Sequence, residues 1–357
     1  MLEKLEIKGY KSIKNISLDI KPINILIGGN GSGKSNFLSF FNFLKEIYKQ
    51  NLQSHVALQG GTEKILHKGT KNTSEIYAKV HFGHNAYSFL IKQADNRFVF
   101  IEETLSYNKQ SFYDNEDKIN GFSSESKLKW NAKPRATYIR NYLNSIVKYH
   151  FHDTGNNSPF NATSNINSDT HFLYEDGRNL SAFIYGIKEN HPQQYNLIVR
   201  TIQHIAPYFS DFYFKPDENG NLTLLWTSKH SSTIYNARDF SDGTIRFIAL
   251  AVLFMQPNLP STIIIDEPEL GLHPSAINKL SGLIKSASKK NTKVIVATQS
   301  TDLISYFEPE DIITVDNKDG ESIFERLNAE TLAHWLDSYT IDDLWKRNII
   351  STGQPNF

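Results

Sequence analysis

The 357-residue chain has no cysteine, which excludes disulfides, Cys-ligated zinc and thiol nucleophiles. Its 38 basic and 38 acidic residues cancel, so net charge gives no sign of a strongly basic nucleic-acid binder or an acidic tail. Hydrophobic residues at 39%, with 23 Phe and 17 Tyr, are ample for a core, and the length suggests roughly two or three domains.

No apolar run approaches the roughly 18 residues of a membrane span, and Met1-Leu2-Glu3-Lys4 lacks a signal-peptide core, so a cytoplasmic setting without membrane contact is expected. Residues 2–7 and 16–20 alternate apolar and polar like two strands of a hairpin-like pair, with Gly9-Tyr10-Lys11-Ser12-Ile13 between them. Ile23, Ile25, Leu26 and Ile27 read as a buried strand. Residues 36–48 read as a helix carrying Phe37, Leu38, Phe41, Leu44 and Ile47 at helical spacing. Irregular chain is expected over 49–73, where Gly60, Gly61 and Gly69 act as breakers. Runs at 76–82, 86–92 and 98–105, separated at Asn85 and Asp95-Asn96, predict an antiparallel meander.

Residues 106–135, rich in Asn, Ser and Lys, read as a loop or marginally ordered insertion, followed by a helix at 137–147 and a strand-like piece at 149–153. After an Asn-rich loop at 154–170 come helices at 180–188 and 194–206, then strands at 212–215 and 222–227 about Asn219-Gly220. The last third alternates: helix 244–254, strand 262–266, helix 276–288, strand 294–297, short helix 300–307 and strand 312–315, the pattern of an α/β layer. Neither an internal repeat nor a long heptad run is visible.

Between the first buried strand and its helix lies Gly28-Gly29-Asn30-Gly31-Ser32-Gly33-Lys34-Ser35, the phosphate-binding pattern G-x-x-x-x-G-K-[ST] in the context its mechanism needs. Glycines let the backbone curl so that N–H groups face phosphate oxygens, and the helix N-terminus adds its positive end. The candidate contacts are Gly28, Asn30, Gly31, Gly33, Lys34, Ser35 and Asn36, with Lys34 reaching the β- and γ-phosphates and Ser35 holding Mg²⁺. The bland alternative is a Gly/Ser-rich turn that happens to contain Lys-Ser.

The apolar run 262–265 suits a strand buried on both faces, and it ends in Asp266-Glu267-Pro268. Ligands bind at the carboxyl ends of such strands. Asp266 would support the Mg²⁺ shell and Glu267 would polarise the attacking water; a solvent-facing acidic turn is the structural alternative. Phe240-Ser241-Asp242-Gly243-Thr244 precedes a helix and reads either as an anion site or as a simple N-cap.

These motifs, continued through Pro268-Glu269-Leu270-Gly271-Leu272-His273-Pro274 and Val294-Ile295-Val296-Ala297-Thr298-Gln299-Ser300, together resemble the ABC-type ATPases of the RecF/SMC/OLD group. More narrowly, the chain is similar to the stand-alone bacterial AAA-labelled predicted ATPases, over roughly residues 2–105 and 208–350. The resemblance implies an α/β P-loop NTPase fold: an ABC-type two-lobed head with an antiparallel β subdomain and a helical insertion. One discontinuous ATPase domain would comprise an N-terminal lobe at 1–105, an insertion at 106–207 and a C-terminal lobe at 208–357.

The resemblance further implies ATP and Mg²⁺ as cofactors, hydrolysis to ADP and phosphate, and an ATP-dependent head-to-tail homodimer. In that dimer Ser241 and Gly243 face the γ-phosphate held by the partner's Lys34, and residues 269–273 cross the interface. Gly9-Tyr10-Lys11-Ser12 is similar to the start of SMC heads, which brings Lys11 and Ser12 near the nucleotide. Tyr149-His150-Phe151-His152-Asp153-Thr154 resembles a stretch of the predicted ATPases and takes the Q-loop place, making His152 and Asp153 candidates for sensing Mg²⁺ or water; a packed strand edge is the alternative. Gln299 stands where ABC proteins often carry His, and is expected to position rather than carry charge. The stretch 344–348 also recurs in that group and reads chemically as an amphipathic helix terminus.

Departures narrow the role. About 100 residues without heptads separate the lobes, so bridging over long distances in the SMC manner is not expected. Asp316, Asp319 and Glu321 are too few and too turn-like for the TOPRIM domain of OLD nucleases, so a nuclease is expected on another polypeptide. The leading expectation is an ATPase switch in DNA repair or recombination, or in anti-phage defence, gating a separately encoded effector. The alternatives are an ATP-binding scaffold with little turnover, against which Glu267 stands, and a transporter's ATP-binding subunit. Lys285, Lys289, Lys290 and Lys293 form a basic cluster that suits either DNA or a solvated helix end.

Overall fold

The computed structural model describes residues 1–107, 115–155, 157–336, 338–347 and 349–350. Part of the polar insertion (108–114), residue 156 of the Asn-rich loop and Asn348 of the 344–348 stretch lie outside the described residues. The chain begins with β1 (Lys4–Tyr10), β2 (Ile13–Asp19), β3 (Ile23–Ile27), α1 (Lys34–Lys49) and α2 (Leu52–Leu58). It continues with β4 (Glu75–Phe82), β5 (Asn85–Ala94), β6 (Arg97–Tyr107), β7 (Asn115–Asn120), α3 (Pro134–Asn144) and β8 (Ile146–Tyr149). Next come β9 (Ser164–Asn165), α4 (Leu180–Asn190), α5 (Pro192–Ile205), β10 (Phe209–Tyr213), β11 (Asn221–Leu222), β12 (Leu225–Ser228) and β13 (Ser231–Asn236). The remainder is α6 (Asp242–Met255), β14 (Thr262–Asp266), α7 (Pro274–Ser288), β15 (Lys293–Thr298), α8 (Thr301–Ile304), β16 (Ile312–Lys318), β17 (Glu321–Arg326), α9 (Ala329–Leu336) and α10 (Ile341–Lys346). Among the described residues, no helix is long and apolar enough to cross a membrane.

The chain forms two compact units. The first comprises Met1–Lys148, Pro260–Ile264 and Asn291–Phe357. One of its sheets runs β2-β1-β4-β5-β6-β7, antiparallel throughout. In β4 the residues Ile76, Ala78, Val80 and Phe82 are buried and their neighbours are less so, the period-two signature of a sheet with one covered face. The other sheet runs β17-β16-β3-β15-β14-β8, with β3 parallel to both β15 and β16. All five residues of β3 are buried. A single apolar core takes Ile7, Val80 and Phe89 from the first sheet, Leu26, Ile295 and Ile313 from the second, and Phe37, Phe40, Phe41, Phe43 and Leu44 from α1. That helix is apolar on more than one face because it serves both sheets.

Three expectations for this unit are corrected. Residues 49–73 contain α2, whose first amides, Leu52 N and Gln53 N, donate to the Glu125 carboxylate at 3.0 and 3.1 Å; this cap comes from far along the chain. The polar insertion contains β7 and is fastened by the fully buried Glu103, which accepts hydrogen bonds from Tyr87 Oη, Ser126 Oγ, Asn120 Nδ2 and Lys127 N. The helix predicted through residue 147 stops at Asn144, because Ser145 turns to Ser261 and Thr262, accepting from their amides through its Oγ and its carbonyl. Ile146 and Val147 therefore start β8.

The second unit comprises Tyr149–Leu259 and Ile265–Lys290. Here α4 packs on α5, α5 on α6 and α6 on α7. The ten residues Ile245 to Phe254 of α6 are all buried, as in a helix wrapped on every side. A three-stranded antiparallel sheet, β10-β12-β13, stands beside them in sequence. The expected strand pairing exists, but β10 meets β12, while Asn221-Leu222 pairs with Ser164-Asn165 of β9. The reason lies in Trp226, whose ring stacks on Tyr235 at 4.6 Å and on Phe240 at 4.4 Å. These stacks pack β13 against β12 and anchor the chain at Phe240.

Candidate phosphate site and signature elements

In the first unit the loop between β3 and α1 is shaped by space and backbone angle. A Cβ on Gly28 would collide with the Val315 carbonyl, and one on Gly33 with Ser322. Gly31 and Gly33 have φ of +77° and +114°, which side chains resist. Gly33 stands at the start of α1, and no side chain caps that end, so the helix's first amides are left for a ligand. Lys34, nearly buried, donates from Nζ to the carbonyls of Gly28 at 2.6 Å and Gly29 at 3.0 Å. Ser32 Oγ is buried with no hydrogen-bond partner in the described structure. Ser35 and Asn30 are exposed. A collar of uncapped amides, an unsatisfied hydroxyl and a lysine resting on carbonyls fits a polyphosphate.

The neighbours of the loop fall into two groups. Ser12 joins it: Asn36 Nδ2 lies 2.8 Å and Ser322 Oγ 2.7 Å from Ser12 Oγ. Lys11, at φ +48°, instead points its amine at Ser39 Oγ, 3.0 Å away and further along α1. Burial lowers the Lys11 pKa, and the Lys148 charge lowers it further. Gln299 is exposed one residue beyond Thr298, which pairs with Ile27 at the end of β3. That register puts Gln299 at the phosphate-loop end of the sheet.

In the second unit Asp266 closes β14 and Glu267 follows with φ +37°, a left-handed conformation unusual for a non-glycine residue. Both carboxylates are partly exposed. The Ser35 hydroxyl and, in its own unit, the Asp266 carboxylate are oxygen donors of the kind Mg²⁺ takes; among the described residues no group of three or more His, Cys, Asp or Glu could hold a metal ion.

Ser241 is the N-cap of α6: its Oγ accepts from Thr244 N at 3.3 Å and lies 2.9 Å from Thr244 Oγ1. Gly243 is needed for close approach, since a Cβ there would strike the Gly271 carbonyl. The residue that sequence reasoning missed is Arg246, almost fully buried. Its Nε and Nη2 donate to the carbonyls of Phe151 and His152 at 3.0 Å each, and its Nη1 donates to Leu270 O. One guanidinium thus ties α6 to the 149–154 stretch and to the 268–273 turn. Burial lowers its pKa, opposed by the Asp242 carboxylate. The signal was available: a lone arginine inside an otherwise apolar run. His152 and Asp153 are exposed, and the Asp153 carboxylate accepts from Gly155 N at 3.2 Å.

Comparison with known proteins follows the same lines. The AAA_21 family model, described as "AAA domain, putative AbiEii toxin, Type IV TA system", matches residues 23–305, most of the chain. The Old nuclease of Escherichia phage P2 is 21% identical over 85% of this chain and 57% of its own length. The tungstate uptake system ATP-binding protein TupC of Campylobacter jejuni is 50% identical over 45 residues, 13% of this chain and 14% of its own. This chain thus spans little more than half of the first relative and a small part of the second. Among solved structures, an SMC head bound to the C-terminal winged-helix domain of ScpA aligns with a TM-score of 0.61 at 17% identity, over 93% of this chain and 99% of that one. The fold is accordingly the P-loop, ABC-type α/β fold of SMC heads with its antiparallel β subdomain.

Proposed function

The chain belongs to the AAA_21 family of P-loop ATPases, and on that premise we propose that it is a Mg-ATP-hydrolysing switch whose two copies close on nucleotide and control a separate effector in anti-phage defence or DNA repair. The observation that carries the reading is the phosphate loop: glycine-shaped, uncapped at α1, and holding Lys34 and the unsatisfied Ser32 hydroxyl. Such a loop grips a triphosphate through backbone amides and one lysine. Lys34 would bind the β- and γ-phosphates, Ser35 would offer its hydroxyl to Mg²⁺, and Asp266 would support that ion's water shell. When bound, Mg²⁺ supplies neutralising charge at the phosphate oxygens. Glu267 orients the attacking water and accepts its proton.

Signature residues Ser241 and Gly243 serve the nucleotide of the second copy, which makes dimer closure dependent on ATP. The defence role draws support from the family's description and from the phage relative.

Calorimetry with Mg-ATP and Lys34→Ala tests the reading. The variant loses a charge-assisted phosphate contact and should bind at least about tenfold more weakly. Unchanged affinity would remove the loop from the ATP site.

A further inference from the structure

The β16–β17 hairpin lies along the phosphate loop. Val315 O occupies the space beside Gly28, and the Ser322 side chain occupies the space beside Gly33. Asn317 Nδ2 donates to Gly31 O at 3.3 Å, and Ser322 Oγ, buried, lies 2.6 Å from Ser32 O. The hairpin is joined in turn to the β1–β2 turn, where Ser322 N donates to Ser12 O at 2.8 Å.

Ser322 Oγ has one hydroxyl proton and two acceptors within reach, Ser32 O at 2.6 Å and Ser12 Oγ at 2.7 Å. Asn36 Nδ2 donates to Ser12 in turn. A hydrogen-bonded network therefore joins Asn36 of α1, the two serines and the loop, and such networks strengthen cooperatively.

In a trans peptide the C=O and the next N–H point in opposite directions. Holding Ser32 O toward the hairpin therefore turns the Gly33 amide the other way, toward the phosphate side. Lys34 holds the Gly28 and Gly29 carbonyls similarly. A lysine that reaches for phosphate shares its three protons between these carbonyls and phosphate. The hairpin bonds do not depend on Lys34.

We infer that Asn317 and Ser322 are positioning residues of the nucleotide site, which hold the backbone of residues 31–33, and with it the Gly33 amide, in place when Lys34 turns to phosphate. This rests on the loop being the ATP site. Neither residue touches nucleotide; both act through the backbone of residues 31–33.

The test is calorimetry of Mg-ADP and of a non-hydrolysable ATP analogue on the full chain, alongside thermal melts without nucleotide. Ser322→Ala should weaken both ligands roughly three- to tenfold, and Asn317→Ala about twofold, each leaving the nucleotide-free melting temperature within about 2 °C. Ser12→Ala with Ser322→Ala should be little worse than Ser322→Ala alone, since both hydroxyls belong to one network. In turnover assays Ser322→Ala should raise KM for ATP with kcat nearly unchanged. If wild type binds and Ser322→Ala binds equally well, the positioning role is wrong and the ATP site stands. A large melting loss with no affinity change per folded molecule assigns Ser322 to stability alone and overturns the inference. If wild type binds neither ligand, the ATP-site reading falls first.

Discussion

Glu267 is the residue whose backbone asks for an explanation. A glutamate at φ +37° costs on the order of 1–3 kcal/mol, and such strain persists where the surroundings and a function require the side chain's direction. Pro268 follows immediately and narrows the angles open to it. Asp266, one residue earlier, ends the strand, and the left-handed turn begins at Glu267; on the proposed function these adjacent acids take separate tasks. Glu267→Gln keeps shape and loses the base. It should retain ATP affinity within about twofold while phosphate release falls on the order of 10²–10⁴-fold. Wild-type-like release would move the role elsewhere, with exposed His152 the first residue to test.

Among the elements, the turn after β14 shows how a motif is held rather than merely spelled. Its amides at Leu270 and Leu272 donate to Glu267 O and Glu269 O. Its carbonyl at Leu270 receives the Arg246 guanidinium, and Gly271 O fills the space that a Cβ at Gly243 would need. Arg246→Ala leaves three carbonyls without their donor. The expected cost is about 2–4 kcal/mol in denaturant unfolding. Hydrogen exchange at Leu270 and Leu272 should quicken at least about tenfold while exchange in α1 stays unchanged. Equal exchange in the variant and wild type would mean that the turn stands without the arginine.

For the protein as a unit of assembly, the prediction concerns two copies. Ser241 already satisfies one amide of its own helix, through Thr244 N, yet it remains exposed at the head of α6. A chain with its own phosphate loop has no need of a second phosphate contact for the same nucleotide unless another copy brings it. Glu267→Gln should therefore sediment as a dimer with Mg-ATP and as a monomer without it, because hydrolysis no longer reopens the interface. Adding Ser241→Arg should abolish the dimer by bulk while the monomer still binds ATP. Normal dimerisation with Ser241→Arg, or no response to ATP in any variant, would refute the two-copy reading.

The linear order of residues was enough for whatever is local. The run from Ile23 to Ser35 states a strand, a glycine-shaped loop and a helix start within a few residues, because amide direction and φ are set by nearest neighbours. The apolar strand ending in Asp266 and the cap at Ser241 were legible for the same reason. Contacts that join distant parts were not legible. Ser322 serves Ser32 from 290 positions away, Glu125 caps α2 from more than 70, and Glu103 gathers four donors onto one buried carboxylate. Nothing in an Asn- and Ser-rich stretch shows whether its polar groups face water or a partner. A buried donor must find an acceptor wherever the fold brings one. That requirement, met in three dimensions, made an ordered strand of a polar insertion and a brace for the phosphate loop of a late hairpin.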